Sequence, residues 1–221
     1  MMRIGNRDFD AKNEVYMMGI LNVTPDSFSD GGLFADPDAA LFQAQRMIEE
    51  GAAILDVGGE STRPGYTKIS VEEELSRVLP VIERIKNNWD IPVSLDTYKA
   101  EVAREGLLAG ADLINDIWGL RYEEEKDFPK QVSPMAKVIA ESGAACVLMH
   151  NTTRSGYTDF WKEFREDLSR TLRIAREAGI KEEKIIIDPG VGFGKNTEEN
   201  LEVIAKLGRL SEFSFPVLLA A

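Results

Sequence analysis

The sequence predicts an α/β fold of parallel βα units and, among such folds, the closed (β/α)8 barrel. Three observations predict it. Short runs rich in Val, Ile and Leu alternate with longer segments whose apolar residues recur at spacings of three and four, the periods of a buried parallel strand and of an amphipathic helix. No linker or low-complexity stretch interrupts the alternation, so residues 1–221 read as a single domain. Polar and glycine-rich residues follow six successive strands, always at the carboxyl end. An open doubly wound sheet concentrates its ligand groups at a switch point, whereas a barrel draws loops from most of its strands.

In chain order the expected strands are "VYMMGILNV" from Val15, "AILDVGG" from Ala53, "IPVSLDT" from Ile91, "DLINDI" from Asp112, "ACVLMH" from Ala145, "KIIIDPG" from Lys184 and "FPVLLAA" from Phe215. Between them lie the helical patterns "DPDAALFQAQRMIEEGA", "SVEEELSRVLPVIERIKNN", "KAEVAREGLLAGA", "SPMAKVIAESGA", "DFWKEFREDLSRTLRIAREAG" and "NTEENLEVIAKLGRLSEF". Asp36 before Pro37, Ser70 with Glu73, and Ser133 before Pro134 are helix starts, and Gly51, Gly143 and Gly179 are stops. Seven strands and six helices fall short of the ~250 residues typical of such barrels, so a last helix, strand and helix are expected to be missing from this sequence. Seven strands would leave two unpaired edges, which supports that expectation.

Composition narrows the function. Apolar residues make up 43% of the chain, enough for a substantial core. Lys and Arg number 26 against 38 Asp and Glu, and a net charge of −12 opposes a stable grip on DNA or RNA. A small anion remains compatible, because local backbone amides and a metal ion outweigh a distant negative surface. The lone Cys146 cannot form an internal disulfide and reads as a reduced core thiol within "ACVLM". The start "MMRIGNRDFD" lacks an apolar signal-peptide core, and no apolar run approaches the ~20 residues of a membrane span. A soluble, cytoplasmic protein without a nucleic-acid or membrane partner is expected.

The chemistry sits at the strand ends. "GILNVTPDSFSDGG" holds Asn22 and Asp30, hard oxygen donors of the kind Mg²⁺ accepts when it also holds phosphate oxygens. The same residues are turn formers. In "DVGGESTRPG", Gly58 and Gly59 let backbone N–H groups approach a ligand, and Ser61, Thr62 and Arg63 supply donors for an anion; no P-loop pattern is present. Asp96, Asn115 with Asp116, and Asp188 each end an apolar strand. One of them alone reads as a helix cap, but several at one mouth need polar partners. A flat heterocycle with alternating donors and acceptors is the fitting partner, with Ile117, Met149 and Phe193 as apolar walls. His150, the single histidine, cannot build a metal cluster and has no Ser or Cys partner, so a positioning role is expected. "DPGVGFGK" lacks the full dinucleotide spacing, Lys195 and Asn196 introduce the next helix, and "RYEEEKDFPKQ" reads as a solvated loop.

Taken together, "MGILNVTPDSFSDGG", "DVGGESTRPG", "SLDTYKAEVA", "LINDIWG", "VLMHN" and "IIIDPGVGFGKNTEENL", in order over residues 17–201, resemble dihydropteroate synthase. The resemblance implies a TIM barrel, commonly a homodimer. It implies a transferase of folate biosynthesis that condenses 6-hydroxymethyl-7,8-dihydropterin diphosphate with 4-aminobenzoate, giving 7,8-dihydropteroate and pyrophosphate by dissociative loss of pyrophosphate. By matching motif it implies Asp96, Asn115 and Asp188 as the catalytic, pterin-holding residues, with Ile117, Met149 and Phe193 around the ring. It further implies Mg²⁺ on Asn22 and, more loosely, Asp30, with Thr62, Arg63, Phe28 and Pro64 near the diphosphate and aminobenzoate. The family also carries a Ser-Arg-Lys segment and an Arg-x-His segment near its C-terminus, and neither occurs in this sequence. The 221-residue chain is therefore expected to be weakly active or inactive. A non-catalytic pterin-binding protein and a corrinoid-linked pterin methyltransferase are the alternative readings; "TPDSFSDGG" and "GGESTRPG" favour the synthase.

Overall fold

The computed structural model describes residues 1–24, 37–61, 68–122, 133–154 and 156–220. The chain divides into two compact units, Met1–Asn115 and Asp116–Ala221.

The first unit opens with an antiparallel hairpin absent from the sequence-based expectation, β1 (Met2–Ile4) and β2 (Arg7–Phe9). Its two-residue loop places Gly5 at φ 56, the left-handed backbone that a tight hairpin turn requires. Met2, Ile4 and Phe9 are buried, which is what holds so short a ribbon in place. Parallel strands follow: β3 (Met18–Asn22), β4 (Ile54–Gly58), β5 (Val93–Asp96) and β6 (Leu113–Asp116). Helices α1 (Pro37–Glu49), α2 (Val71–Asn88) and α3 (Ala100–Leu108) occupy the connections. Ser70 caps α2 as expected, its hydroxyl accepting from Glu73 N at 3.1 Å. Every residue of β4 is buried, and Val78, Val81, Ile82 and Ile85 form the buried stripe of α2.

Register decides which side chains share a level. Asn22 pairs with Gly58, Gly58 with Asp96, and Asp96 with Asn115, so these four residues form one row across the carboxyl ends of four strands. Two residues earlier, and therefore on the same face, runs the row Ile20, Asp56, Ser94 and Leu113.

The second unit contains α4 (Pro134–Ser142), β7 (Ala145–Met149), α5 (Phe160–Ala178), β8 (Ile185–Asp188) and α6 (Thr197–Ala205). Strands β7 and β8 are parallel, pairing Cys146 with Ile185 through Met149 with Asp188. Ser133 caps α4 through Ala136 N, and Gly143 and Gly179 close α4 and α5 in the left-handed region. Cys146 is fully buried, and burial pushes its thiol pKa up, consistent with a core role. Two expectations need correction here. The last helical pattern stays α-helical only to Ala205; Leu207–Phe213 is 3₁₀, with Gly208 weakening the helix and Leu210 buried at three-residue spacing from Leu207. The strand expected from Phe215 reduces to a single parallel bridge between Val217 and Ile187. Pro216 has no N–H for a ladder and contributes only its carbonyl, which accepts from Ile187 N at 3.0 Å. Among the described residues, no helix is long and apolar enough to cross a membrane.

Candidate active site

In the first unit the expected residues Asn22, Asp96 and Asn115 stand in the single row defined above. Gly58 is the fourth member, and its missing side chain is what opens the row. A Cβ at position 58 would lie 3.3 Å from Asn22 Oδ1 and 3.4 Å from Asp96 Oδ2. The two hard oxygens therefore flank one space. Asn115 is anchored from the row beneath: its Nδ2 donates to Asp56 Oδ2 at 3.0 Å. Asp56 is buried, and burial raises its pKa against the Asn115 amide and the adjacent Ser94 hydroxyl, which lies close without meeting hydrogen-bond geometry.

Behind this row lies a buried charge cluster that sequence reasoning missed. Glu60 accepts from Tyr98 Oη (2.5 Å), Lys99 Nζ (2.8 Å) and Ile69 N (2.9 Å). Lys99 also donates to Glu74 Oε2 at 2.6 Å and to Ile69 O at 2.8 Å. Glu60 and Lys99 thereby tie residue 60 to residue 69. Burial raises the Glu74 pKa, with Lys99 opposing. Burial also works against Lys99's charge, but its bonds to Glu60 and Glu74 outweigh that and hold its pKa above the usual lysine value. The signal available in the sequence was a glutamate directly after Gly58-Gly59 and a lysine at the start of α3, one strand further on.

The second unit separates residues that look alike in sequence. Asp116 spends both oxygens on its own turn, Oδ1 accepting from Trp118 N at 2.9 Å and Oδ2 from Leu120 N at 2.7 Å. Asp188, buried at the end of β8, accepts from Gly190 N at 2.6 Å, while its carbonyl accepts from His150 N at 2.8 Å. Ile117 and Met149 are buried and Phe193 half-buried. Gly190 is obligatory: its φ is 66, and a Cβ there would lie 2.1 Å from His150 O.

His150 is fully buried, and Lys195 is its partner. Lys195 Nζ lies 3.0 Å from His150 Nδ1, 2.8 Å from Gly190 O and 3.0 Å from Phe193 O, three acceptors for the three ammonium protons. In its ammonium form Lys195 only donates, so Nδ1 then accepts and the imidazole proton sits on Nε2, 3.6 Å from Asp167 Oδ2 and too far for a hydrogen bond. Burial draws the His150 pKa down to about 4, so the ring is neutral, and draws Lys195 down to about 7 against the attraction of Asp188, Glu199 and Asp167. Lys195 thus fastens the segment bearing Phe193 to the end of β7. Arg121, expected in a solvated loop, is instead buried, donating to Asn151 O at 2.5 Å and pairing with Asp167 at 3.4 Å; Arg154 reaches the same carboxylate. Burial opposes the Asp167 charge, but His150 and the two guanidinium groups hold its pKa below the usual value.

Phe28, Asp30, Thr62, Arg63 and Pro64, and the cap at Asp36, lie outside the described residues. Among the described residues, no group of three His, Cys, Asp or Glu is placed to hold a metal.

Parallel βα units with acceptors at the strand ends define an α/β protein with a polar strand-end site, and the family model for pterin binding enzyme matches residues 18–221. Dihydropteroate synthase of Clostridium beijerinckii is 51% identical over 218 residues, covering 99% of this chain and 78% of that protein. The crystal structure of the Clostridium difficile dihydropteroate synthase in the presence of pteroic acid matches with a TM-score of 0.89 and 45% identity, over 97% of this chain and 78% of that one. That of Xanthomonas albilineans with 4-aminobenzoic acid matches with a TM-score of 0.82 and 45% identity, over 91% and 71%. The chain belongs to the dihydropteroate synthase family of pterin-binding enzymes, transferases on the TIM-barrel fold.

Proposed function

We propose that this chain uses Asp96 and Asn115 to hold the pterin ring of 6-hydroxymethyl-7,8-dihydropterin diphosphate, which it condenses with 4-aminobenzoate to give 7,8-dihydropteroate and pyrophosphate. The carrying observation is the row Asn22, Gly58, Asp96 and Asn115, which places two acceptors and an amide at the carboxyl end of parallel strands. Acceptors in that row suit the N–H edge of an aminopyrimidine. Solved relatives were determined in the presence of pteroic acid, which joins the two halves, and with 4-aminobenzoic acid, which is one of them. For Asp188, Ile117, Met149 and Phe193 the support is the motif in which each stands, and likewise for Phe28, Thr62, Arg63 and Pro64 toward the diphosphate and aminobenzoate.

Pyrophosphate departs from the pterin methylene carbon before the arylamine attacks. The Asp96 carboxylate lowers the cost of positive charge forming on the ring, and no protein nucleophile is required. Mg²⁺ is proposed on Asn22, with Asp30 as a further donor. Asn22 Oδ1 and Asp96 Oδ2 facing one space beside Gly58 is a hard-oxygen setting that fits this ion. When bound, the ion would neutralise charge on the leaving diphosphate. A cytoplasmic homodimer completes the reading.

Pyrophosphate release, dependent on both substrates, tests the reaction. Asp96→Ala is expected to lower kcat/KM by at least about a hundredfold, the loss of a charged hydrogen-bond partner plus its electrostatic effect. Release that persists unchanged in Asp96→Ala, or that does not depend on 4-aminobenzoate, overturns the proposal.

A further inference from the structure

We infer that Asp56, one row beneath the ligand row, is the positioning residue that fixes Asn115 as a hydrogen-bond acceptor and so makes this part of the site selective for a ligand edge that donates N–H. This rests on the reading of Asn115 as a pterin ligand. An asparagine amide offers both a donor and an acceptor, and its orientation is set by its neighbours. Here one N–H of the Asn115 amide donates to Asp56 Oδ2 at 3.0 Å, which fixes which way round the amide stands. The trigonal geometry of the amide then turns Oδ1 away from Asp56, and Asn115 is only half-buried, so its oxygen remains for a ligand.

Register explains why Asp56 positions rather than binds. Asp56 pairs with Ser94 and stands two residues before Gly58, on the same face of β4, with only 4% of its surface exposed. Asn115 stands level with Asp96, one row further toward the carboxyl ends. A ligand on the upper row meets Asp96 and Asn115 before it meets Asp56. Asp96 is itself a carboxylate, so the two side chains together present acceptors. An isosteric ligand with a carbonyl at this point would face unpaired lone pairs, the kind of mismatch that discriminates far better than shape alone.

Calorimetric titration of the full chain with 6-hydroxymethylpterin, alongside melting curves for each variant, tests the assignment. Asp56→Ala is expected to weaken binding about tenfold, the loss of one fixed hydrogen bond. Asp56→Asn should stay within about threefold of wild type, because its Oδ1 accepts the same bond. In an Asn115→Ala background, Asp56→Ala should weaken binding no further. If Asn115→Ala itself leaves pterin affinity unchanged, the pterin reading of this row fails and the inference with it. If Asn115→Ala weakens binding but Asp56→Ala does not, or does so equally in both backgrounds, only the role of Asp56 is overturned. Should Asp56→Ala not fold, Asn115→Asp decides: two facing carboxyls must share a proton, so its pterin affinity should fall as pH rises, and the swapped pair Asp56→Asn with Asn115→Asp should remove that dependence. The same pH dependence in both variants overturns the inference.

Discussion

Replacing Lys99 with methionine should destabilise the protein strongly and in a pH-dependent way. The ammonium makes three contacts, to Glu60 (2.8 Å), Glu74 (2.6 Å) and Ile69 O (2.8 Å), and the two glutamate side chains are 3% and 2% exposed. At an effective dielectric near 20, each ion pair represents a gross attraction of about 6 kcal/mol, most of it offset by the cost of burying the charges. Methionine keeps the volume of the stem but leaves two carboxylates without their cation. Breaking a buried pair in this way costs about 3–5 kcal/mol, and at about 2–4 °C per kcal/mol in a chain of this size Tm should fall by about 6–20 °C. Glu74 supplies the pH signature. Its folded pKa already lies above the ordinary glutamate value because of burial, and Lys99 is what restrains it. Without Lys99 the folded state binds a proton more tightly than the unfolded chain, so the variant gains stability as pH falls toward the glutamate range. Chemical denaturation of wild type and Lys99→Met from mildly alkaline to mildly acidic pH should show a deficit that shrinks on acidification. A deficit below about 1 kcal/mol, or one that is flat with pH, would refute the view that this cluster depends on its cation.

Gly190→Ala should cost about 2–4 kcal/mol in urea denaturation, from left-handed strain and from the clash of its Cβ with His150 O. The His150 imidazole should titrate by NMR near pH 4 rather than 6.5. Its pKa is depressed by burial, so its contribution to stability is complete above the ordinary histidine value and is lost as pH falls through about 4. Asn196→Ala should remove the capping box at the start of α6 and cost about 1 kcal/mol, measured by thermal melting.

The strand and helix alternation was readable because each parallel strand is buried and each helix amphipathic, which writes two different periods into the chain. What escaped was governed by non-local or short-range competition. The hairpin Met2–Phe9 has strands too short to carry a period, and only Gly5-Asn6 marked its turn. The expected strand at Phe215 is apolar enough, but Pro216 removes a ladder donor and leaves one bridge. Arg121 looked solvated among acidic neighbours because nothing local reveals that Asp167, 46 residues away, receives it. Glu60 and Lys99 are likewise 39 residues apart, and charge alone could not announce their pairing.

The candidate site shows the same limit at finer grain. A carboxylate or amide at the end of an apolar strand is a single pattern in sequence, yet it has at least three fates here. Asp96 and Asn115 stand in one row with Gly58 and Asn22 because their strands are in register there. Asp116, one residue beyond Asn115, accepts with both oxygens from the backbone of its own turn, so adjacent residues of "INDI" divide between the row and a local turn. Asp56 shares the face of Gly58 but sits two residues short of it, deep enough to hold Asn115 rather than a ligand. Side-chain alternation along one strand separates Asn115 from Asp116, while register between strands separates Asp96 from Asp56. Register is a property of pairs of strands, so it became available only once the strands were assembled.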